Sequence, residues 1–316
     1  MSNLKTLLPK MDKVLIPVEG SECSKKAIFF AGYLLAPLDK EVLEEIDLLH
    51  VISAGFLETT APKIDFRVEF IKESSFFKRL REEYIQSKAQ PLLDWAEQEL
   101  KKRGITVPIK KIVLEGDPPK EIVDFSQKKG LHTVIMGRRG FSCLKERFVG
   151  SCSLAVCHRP GAHTTYVVGQ KVNGTCPVER LLVPIDGSAC SVAALREACG
   201  LLLAFKEKVK SLKLLLVIDV AYESDHLLER IEEAKNLLKQ FKEKAVSFGV
   251  SESLIQEEWR IGRPANEIVS MAQEENIDVV IMGRRGLSGI KELIMGSVSN
   301  KVLHKAESFT LALVTA

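Results

Sequence analysis

KVLIPVEGSECS at residues 13–24 returns as RLLVPIDGSACS at 180–191, an offset of 167, and VIMGRRG occurs at 134–140 and again at 280–286, an offset of 146. Self-similarity on this scale decides the organisation of the chain before any local reading: the polypeptide is two copies of one unit. The 21-residue difference between the offsets is an insertion in the first copy. LLHVI (48–52) still aligns with LLVID (215–219) at the larger offset, and Gly116 with Gly262 at the smaller, so the extra residues fall within about 55–100. The expected boundaries are a first domain over 1–169, a linker over 170–178 that holds Asn173-Gly174, and a second domain over 179–316.

Within each copy apolar runs alternate with helical periodicity. In the second, LLVPI (181–185) predicts a strand, and Ser188 caps a helix that runs through about Leu203. Residues 212–218 form the next strand. Leu227, Leu228, Ile231, Ala234, Leu237, Leu238, Phe241 and Ala245 then recur at helical spacing until Gly249 stops them. EEWRI (257–261) is a third strand, Pro264 to Glu275 a helix, and DVVIMG (278–283) a strand covered on both faces. A last helix through about His304 and the strand TLALVT (310–315) close the copy; the first copy repeats this order and closes on TTYVV (164–168). Such alternation makes an α/β fold with parallel sheets and right-handed crossovers, and ligands on such sheets sit at the carboxyl ends of the strands.

Hydrophobic residues make up 46% and charged residues 28%, a globular balance. The net charge of +3 comes with Lys and Glu interleaved along the helices rather than in a basic stripe, so no nucleic-acid partner is expected. Lys5, Pro9, Lys10 and Asp12 break the apolar character of the first residues, and no run reaches membrane-spanning length, so a soluble cytoplasmic protein with no membrane partner is expected. The 7 cysteines suit a reducing compartment. Cys143, Cys152, Cys157 and His158 lie close in sequence without a CxxC pair, which favours packed thiols over a metal site. His50, His132, His158, His163, His226 and His304 assemble no i, i+4 pair and no Ser/His/Asp pattern, and no catalytic residue is assigned.

The chemistry concentrates after the fourth strand. Gly137-Arg-Arg-Gly140 is followed after nine residues by Gly150-Ser151, and Gly283-Arg-Arg-Gly286 after nine residues by Gly296-Ser297. Glycines let backbone amides approach a ligand and form a concave anion site. For the Gly-Ser pair to join that site, the next helix must begin irregularly so that the pair folds back. No GxxxxGK[ST] occurs, and VEGSECS and IDGSACS after the first strands carry no GxGxxG, which excludes a Walker loop and disfavours a dinucleotide site.

The G-x2-G-x9-G-S signature, the opening VPIDGS, the HV of the second strand and the short GRP turn resemble the universal stress protein family over nearly the whole chain. The resemblance implies two tandem Rossmann-like domains, each a five-stranded parallel sheet of order 3-2-1-4-5 flanked by helices. It implies an intramolecular pseudo-dimer formed through the last strands, with a further homodimer left open, and ATP or AMP as ligand. Carried over by position, the second site takes Asp186 beside the ribose or a phosphate-bound Mg, and Ile218 offering backbone atoms to adenine. Gly283, Arg285 and Gly286 would line the phosphates, and Gly296, Ser297, Val298 and Ser299 complete the contacts. In the first copy the matching residues are Glu19, Val51, Gly137, Arg139, Gly140, Gly150, Ser151, Cys152 and Ser153. That copy departs from the family at Glu19 in place of Asp, at Cys152 and in HRPGAHTT, so the second copy is expected to hold nucleotide at least as well as the first.

One arginine of each pair, among Arg138, Arg139, Arg284 and Arg285, is expected to meet phosphate and the other to face solvent or a helix carboxylate. The inserted region carries Phe56, Phe66, Phe70, Phe76, Phe77, Tyr84 and Trp95, read as packing on its own domain or as an assembly surface in preference to a lid. Function then divides three ways: a regulatory module that binds an adenine nucleotide in a stress response, a slow Mg-dependent ATPase, or a nucleotide-free scaffold working through protein contacts. The two intact loops favour the first, and no residue suited to positioning a hydrolytic water is found.

Overall fold

The computed structural model describes residues 4–38, 40–53, 75–139, 149–159, 164–172, 176–219, 227–286 and 295–316. In the first copy β1 (Lys13–Pro17) leads through a turn at Gly20 into α2 (Glu22–Leu35). The turn needs glycine, because its φ is 86°. Ser21 then caps the helix, its Oγ accepting from Ser24 N at 3.2 Å. The second copy repeats the device with Gly187 at φ 82° and Ser188 Oγ accepting from Ser191 N at 3.2 Å.

The strands β2 (Glu45–Ile52), β3 (Ile109–Glu115), β4 (Thr133–Gly137) and β5 (Thr164–Val168) complete the first half-sheet. The second half is built from β6 (Arg180–Pro184), β7 (Ser211–Asp219), β8 (Ile255–Gly262), β9 (Val279–Gly283) and β10 (Thr310–Val314). The order β3-β2-β1-β4-β5-β10-β9-β6-β7-β8 is the 3-2-1-4-5 arrangement twice over, fused into one ten-stranded sheet. Pairing is parallel within each half and antiparallel only at the seam, where Leu311 faces Val167 and Leu313 faces Thr165. In each half the strand order reverses beside the first strand, and that reversal opens a crevice at the carboxyl ends.

The seam is a core. One apolar cluster runs from Val14, Ile16 and Tyr166 of the first copy to Val183, Ile281 and Val314 of the second. Gly169 is required there, since a Cβ would stand 2.3 Å from the carbonyl oxygen of Phe309. The two sides are not equivalent. Glu197, on α7 (Ala189–Phe205), is buried and accepts from Thr164 Oγ1 at 3.2 Å and from the Tyr166 hydroxyl, whereas the residue one repeat earlier is Phe30. The first residues also cross the seam: α1 (Leu4–Leu7) and Leu8 lie against Gly200 of α7, where a Cβ would meet Leu8 Cγ at 2.5 Å.

The stretch 55–100, within which the insertion falls, is helical where described: α3 (Ser75–Tyr84), a π-helical turn (Ile85–Ala89) and α4 (Gln90–Lys102). Phe77 packs on Ile52, and Trp95 meets Phe29 edge-on at 6.0 Å. Phe56, Phe66, Phe70 and the side chain of Phe76 lie outside the described residues. The remaining helices are α5 (Pro118–Lys129), α6 (Ser151–His158), α8 (Leu227–Ser247), α9 (Pro264–Glu274) and α10 (Ser297–Lys305).

Candidate functional site

Each crevice holds a cavity. In the second copy β9 ends at Gly283, the chain turns through Arg284, Arg285 and Gly286, and α10 begins at Gly296 and Ser297. The Gly-Ser pair lies back beside the first glycine: Gly296 N donates to the carbonyl of Arg284 at 2.9 Å, and Ser299 Oγ donates to the carbonyl of Gly283 at 2.8 Å. The amino end of α10 is thereby pinned against the strand end, and its first amides open into the crevice. Asp186, Gly283, Arg285, Gly286, Gly296, Ser297, Val298 and Ser299 all line a cavity of about 200 Å³. Pro184, Val217, Pro264, Ile268 and Met282 supply an apolar wall that the sequence reading did not name. Ile218 is buried and does not line this cavity; Leu215 and Val217 of the same strand do. Asp186 is exposed, accepts from Ser188 N at 2.9 Å, and abuts Gly286, where a Cβ would come within 2.5 Å of Oδ2.

The first copy repeats the clamp. Gly150 N donates to Arg138 O at 2.8 Å and Ser153 Oγ to Gly137 O at 2.8 Å. Glu19, Val51, Gly137, Arg139, Gly150, Ser151, Cys152 and Ser153 line a cavity of about 830 Å³. Gly140 lies outside the described residues. The longer Glu19 carboxylate takes the Ser21 hydroxyl at 2.9 Å, where Asp186 takes a backbone amide. Burial pushes the Cys152 thiol up to about 12, so it is a neutral wall rather than a nucleophile. The first cavity falls within the roughly 300–1,000 Å³ of ordinary ligand pockets, and the second below it.

Tyr84, Lys88 and Leu92, on the helical run α3–α4, also line the first cavity. His50 Nδ1 donates to the carbonyl of Val18 at 2.7 Å, so its Nε2 is the acceptor for the Tyr84 hydroxyl at 2.9 Å. Burial holds the His50 pKa below its ordinary value, which keeps this ring neutral. Of the residues in this stretch, Phe77 and Trp95 pack on the domain as expected, while Tyr84 and Lys88 form part of the site wall, a role the sequence reading did not name. The i, i+4 spacing of Tyr84 and Lys88 was the available signal.

The arginine pairs divide as a pair, though not as expected for the idle member. Arg139 and Arg285 line the cavities. Arg138 and Arg284, instead of meeting solvent, are 2% and 1% exposed and reach into the opposite copy. Steric need also explains some of the glycines. A Cβ on Gly137 would stand 2.6 Å from the backbone of Cys23, and one on Gly283 2.7 Å from Cys190 Cβ, so these two let the strand end pass the start of the first helix. Gly296 is different: the nearest atom to a Cβ is 3.5 Å away, ordinary contact, and packing gives no reason for glycine there.

A family model, described as the universal stress protein family, matches residues 10–160 and again 177–312. The chain belongs to that family, as a tandem member. It is 34% identical over 139 residues to universal stress protein YxiE of Bacillus subtilis (strain 168), covering 39% of this chain and 90% of that protein. It is 32% identical over 143 residues to universal stress protein MJ0531 of Methanocaldococcus jannaschii, covering 42% and 81%. Both relatives align over about one copy. The crystal structure of a universal stress protein from Archaeoglobus fulgidus DSM 4304 matches with a TM-score of 0.68 at 23% identity, over 97% of this chain and 99% of that one. A putative universal stress protein from Pseudomonas aeruginosa UCBPP-PA14 gives 0.61 at 16% identity, over 98% and 94%. These two likenesses establish the tandem universal stress fold. Among the described residues no helix is long and apolar enough to cross a membrane, and no group of three or more His, Cys, Asp or Glu is placed to hold a metal ion.

Proposed function

We propose that this universal stress protein is a regulatory module that binds an adenine nucleotide, ATP or AMP, in each copy. The observation that carries the reading is the clamp seen twice, Gly150 N on Arg138 O and Gly296 N on Arg284 O, at 2.8 and 2.9 Å. It turns a helix amino end, with its unpaired amides and positive dipole, toward a crevice that also holds Arg139 or Arg285. Such a place suits a phosphate chain, while Val51, Ile122 and Met136 in the first site and Val217, Ile268 and Met282 in the second suit a flat apolar base. Asp186 in the second site, and Glu19 with Asp117 in the first, fit a Mg²⁺ that arrives with the phosphates, since that ion takes one or two carboxylates and keeps its waters. The first site, at about 830 Å³, has more room in its present shape than the second, at about 200 Å³. Binding in this reading acts by changing loop order and so partner choice, with no catalytic group required.

Mass spectrometry of small molecules released from the purified full chain tests this. Recovery of ATP or AMP in stoichiometric amount, or a rise in melting temperature on adding either, is expected. Neither being seen would leave the fold standing and remove the function.

A further inference from the structure

The first arginine of each pair does two jobs at once. The backbone carbonyl of Arg138 holds Gly150 in its own site, at 2.8 Å. Its side chain crosses the seam and donates through Nη1 to the carbonyl of Leu303 at 2.9 Å and to that of Ala306, and through Nη2 to that of His304 at 2.7 Å. These are the last carbonyls of α10 and its cap, groups that a helix leaves without partners, at the negative end of its dipole. The other end of the same nine-residue helix is Ser297, Val298 and Ser299 of the second site. Arg284 reaches across in the other direction, to one helix-cap carbonyl and one hydroxyl on β5. Its carbonyl holds Gly296, and its Nη1 donates to Arg159 O at 3.4 Å, the cap of α6, and its Nη2 to Thr165 Oγ1 at 3.0 Å. The far end of α6 is Ser151, Cys152 and Ser153 of the first site.

We infer that Arg138 and Arg284 are positioning residues that act in trans: each fixes the phosphate-binding helix of the opposite copy, so that the two sites are coupled through the seam. A short helix is a stiff rod, and a guanidinium anchored at one end sets where the amides at the other end point. The anchor in turn sits next to Arg139, which lines the first cavity. A lysine cannot replace it, because three carbonyls around one fork need planar, divergent donors. The inference rests on the nucleotide sites proposed above.

The experiment measures ATP affinity by calorimetry in four full-length proteins, each with one site blocked: Gly150→Val leaves the second site and Gly296→Val the first, with and without Arg138→Lys. Arg138→Lys is expected to weaken the second site by roughly five- to tenfold, within the usual range of coupling between sites, and by clearly more than it weakens the first. Arg284→Lys should show the opposite preference. A larger loss at the arginine's own site, or equal losses at both, overturns the inference while leaving the nucleotide sites in place. Absence of ATP binding in both the Gly150→Val and the Gly296→Val proteins with Arg138 intact removes the site reading itself. Should the lysine variants fail to fold, hydrogen exchange on the Gly296→Val protein decides. Loading its first site with ATP should slow exchange in residues 297–305, and unchanged exchange there overturns the coupling.

Discussion

Tyr84 donates its hydroxyl to Nε2 of His50 across 2.9 Å, and this bond joins the helix over the first site to the strand beneath it. The second copy has no such pair. Buried Ala89, Leu93, Ala96 and Leu100 match buried Ala234, Leu238, Phe241 and Ala245 one for one, which sets acidic Glu233 opposite Lys88; Val217 stands opposite His50. The two sites thus share their glycine clamps and differ in the wall facing them. Tyr84→Phe deletes the donor and leaves the His50 acceptor without it, a cost of about 1 kcal/mol. A lower melting temperature and a several-fold weaker first site are expected by thermal shift and by calorimetry in a Gly296→Val background; an unaltered first site would show that the pair has no part in binding.

Lys88 is exposed at the mouth of the first cavity, and its counterpart is acidic. Lys88→Glu is therefore expected to weaken ATP at the first site more than it weakens AMP, with the difference shrinking as salt is raised, because an exposed charge is screened within about 10 Å at 0.1 M salt. Equal effects on the two nucleotides would place Lys88 away from the phosphates.

Two glycines separate packing from binding. Gly283→Ala forces a Cβ to within 2.7 Å of Cys190 Cβ and 2.8 Å of Arg285 O, so a loss of stability of about 1–3 kcal/mol is expected in chemical denaturation. Gly296→Ala meets nothing closer than 3.5 Å and its extended backbone accepts a side chain, so stability should hold within about 0.5 kcal/mol while the second site loses affinity. Equal stability losses in the two variants would contradict the division.

Asp47, buried on β2, is pushed from 3.8 up to about 6, chiefly by burial and then by the neighbouring Glu45 charge. A carboxyl whose folded pKa is raised favours the fold while it can stay protonated. Its contribution is complete below pH 3.8 and is lost as pH rises through about 6. Asp47→Asn should remove this slope, so that the variant gains stability relative to the parent as pH goes from 4 to 7. Parallel pH–stability curves would rule the assignment out.

Much of this molecule was legible in the sequence because symmetry doubled each signal. The repeated VIMGRRG and the glycine-serine spacing located both crevices, and Ser21 and Ser188 announced their helices. Strand order and the pairing of last strands came with the family resemblance and stand in the structure. What could not be read depends on contacts between residues far apart in the chain. Nothing local distinguishes Arg138 from Arg139; one is buried across the seam only because β5 and β10 lie side by side. The fusion of the halves into one sheet placed Glu197 in a core where Phe30 stands in the other copy. The π-helical turn that carries Lys88 has no sequence signature, and Tyr84 gained its role from a histidine 34 residues earlier.

The central claim is that each glycine-clamped helix start receives a phosphate chain. Calorimetric titration of ligand-free full-length protein with ATP measures it most directly. Two nucleotides per chain are expected, falling to one in Gly150→Val and one in Gly296→Val, and to none in the double variant. Binding whose stoichiometry survives both substitutions would place the nucleotide elsewhere and contradict the account.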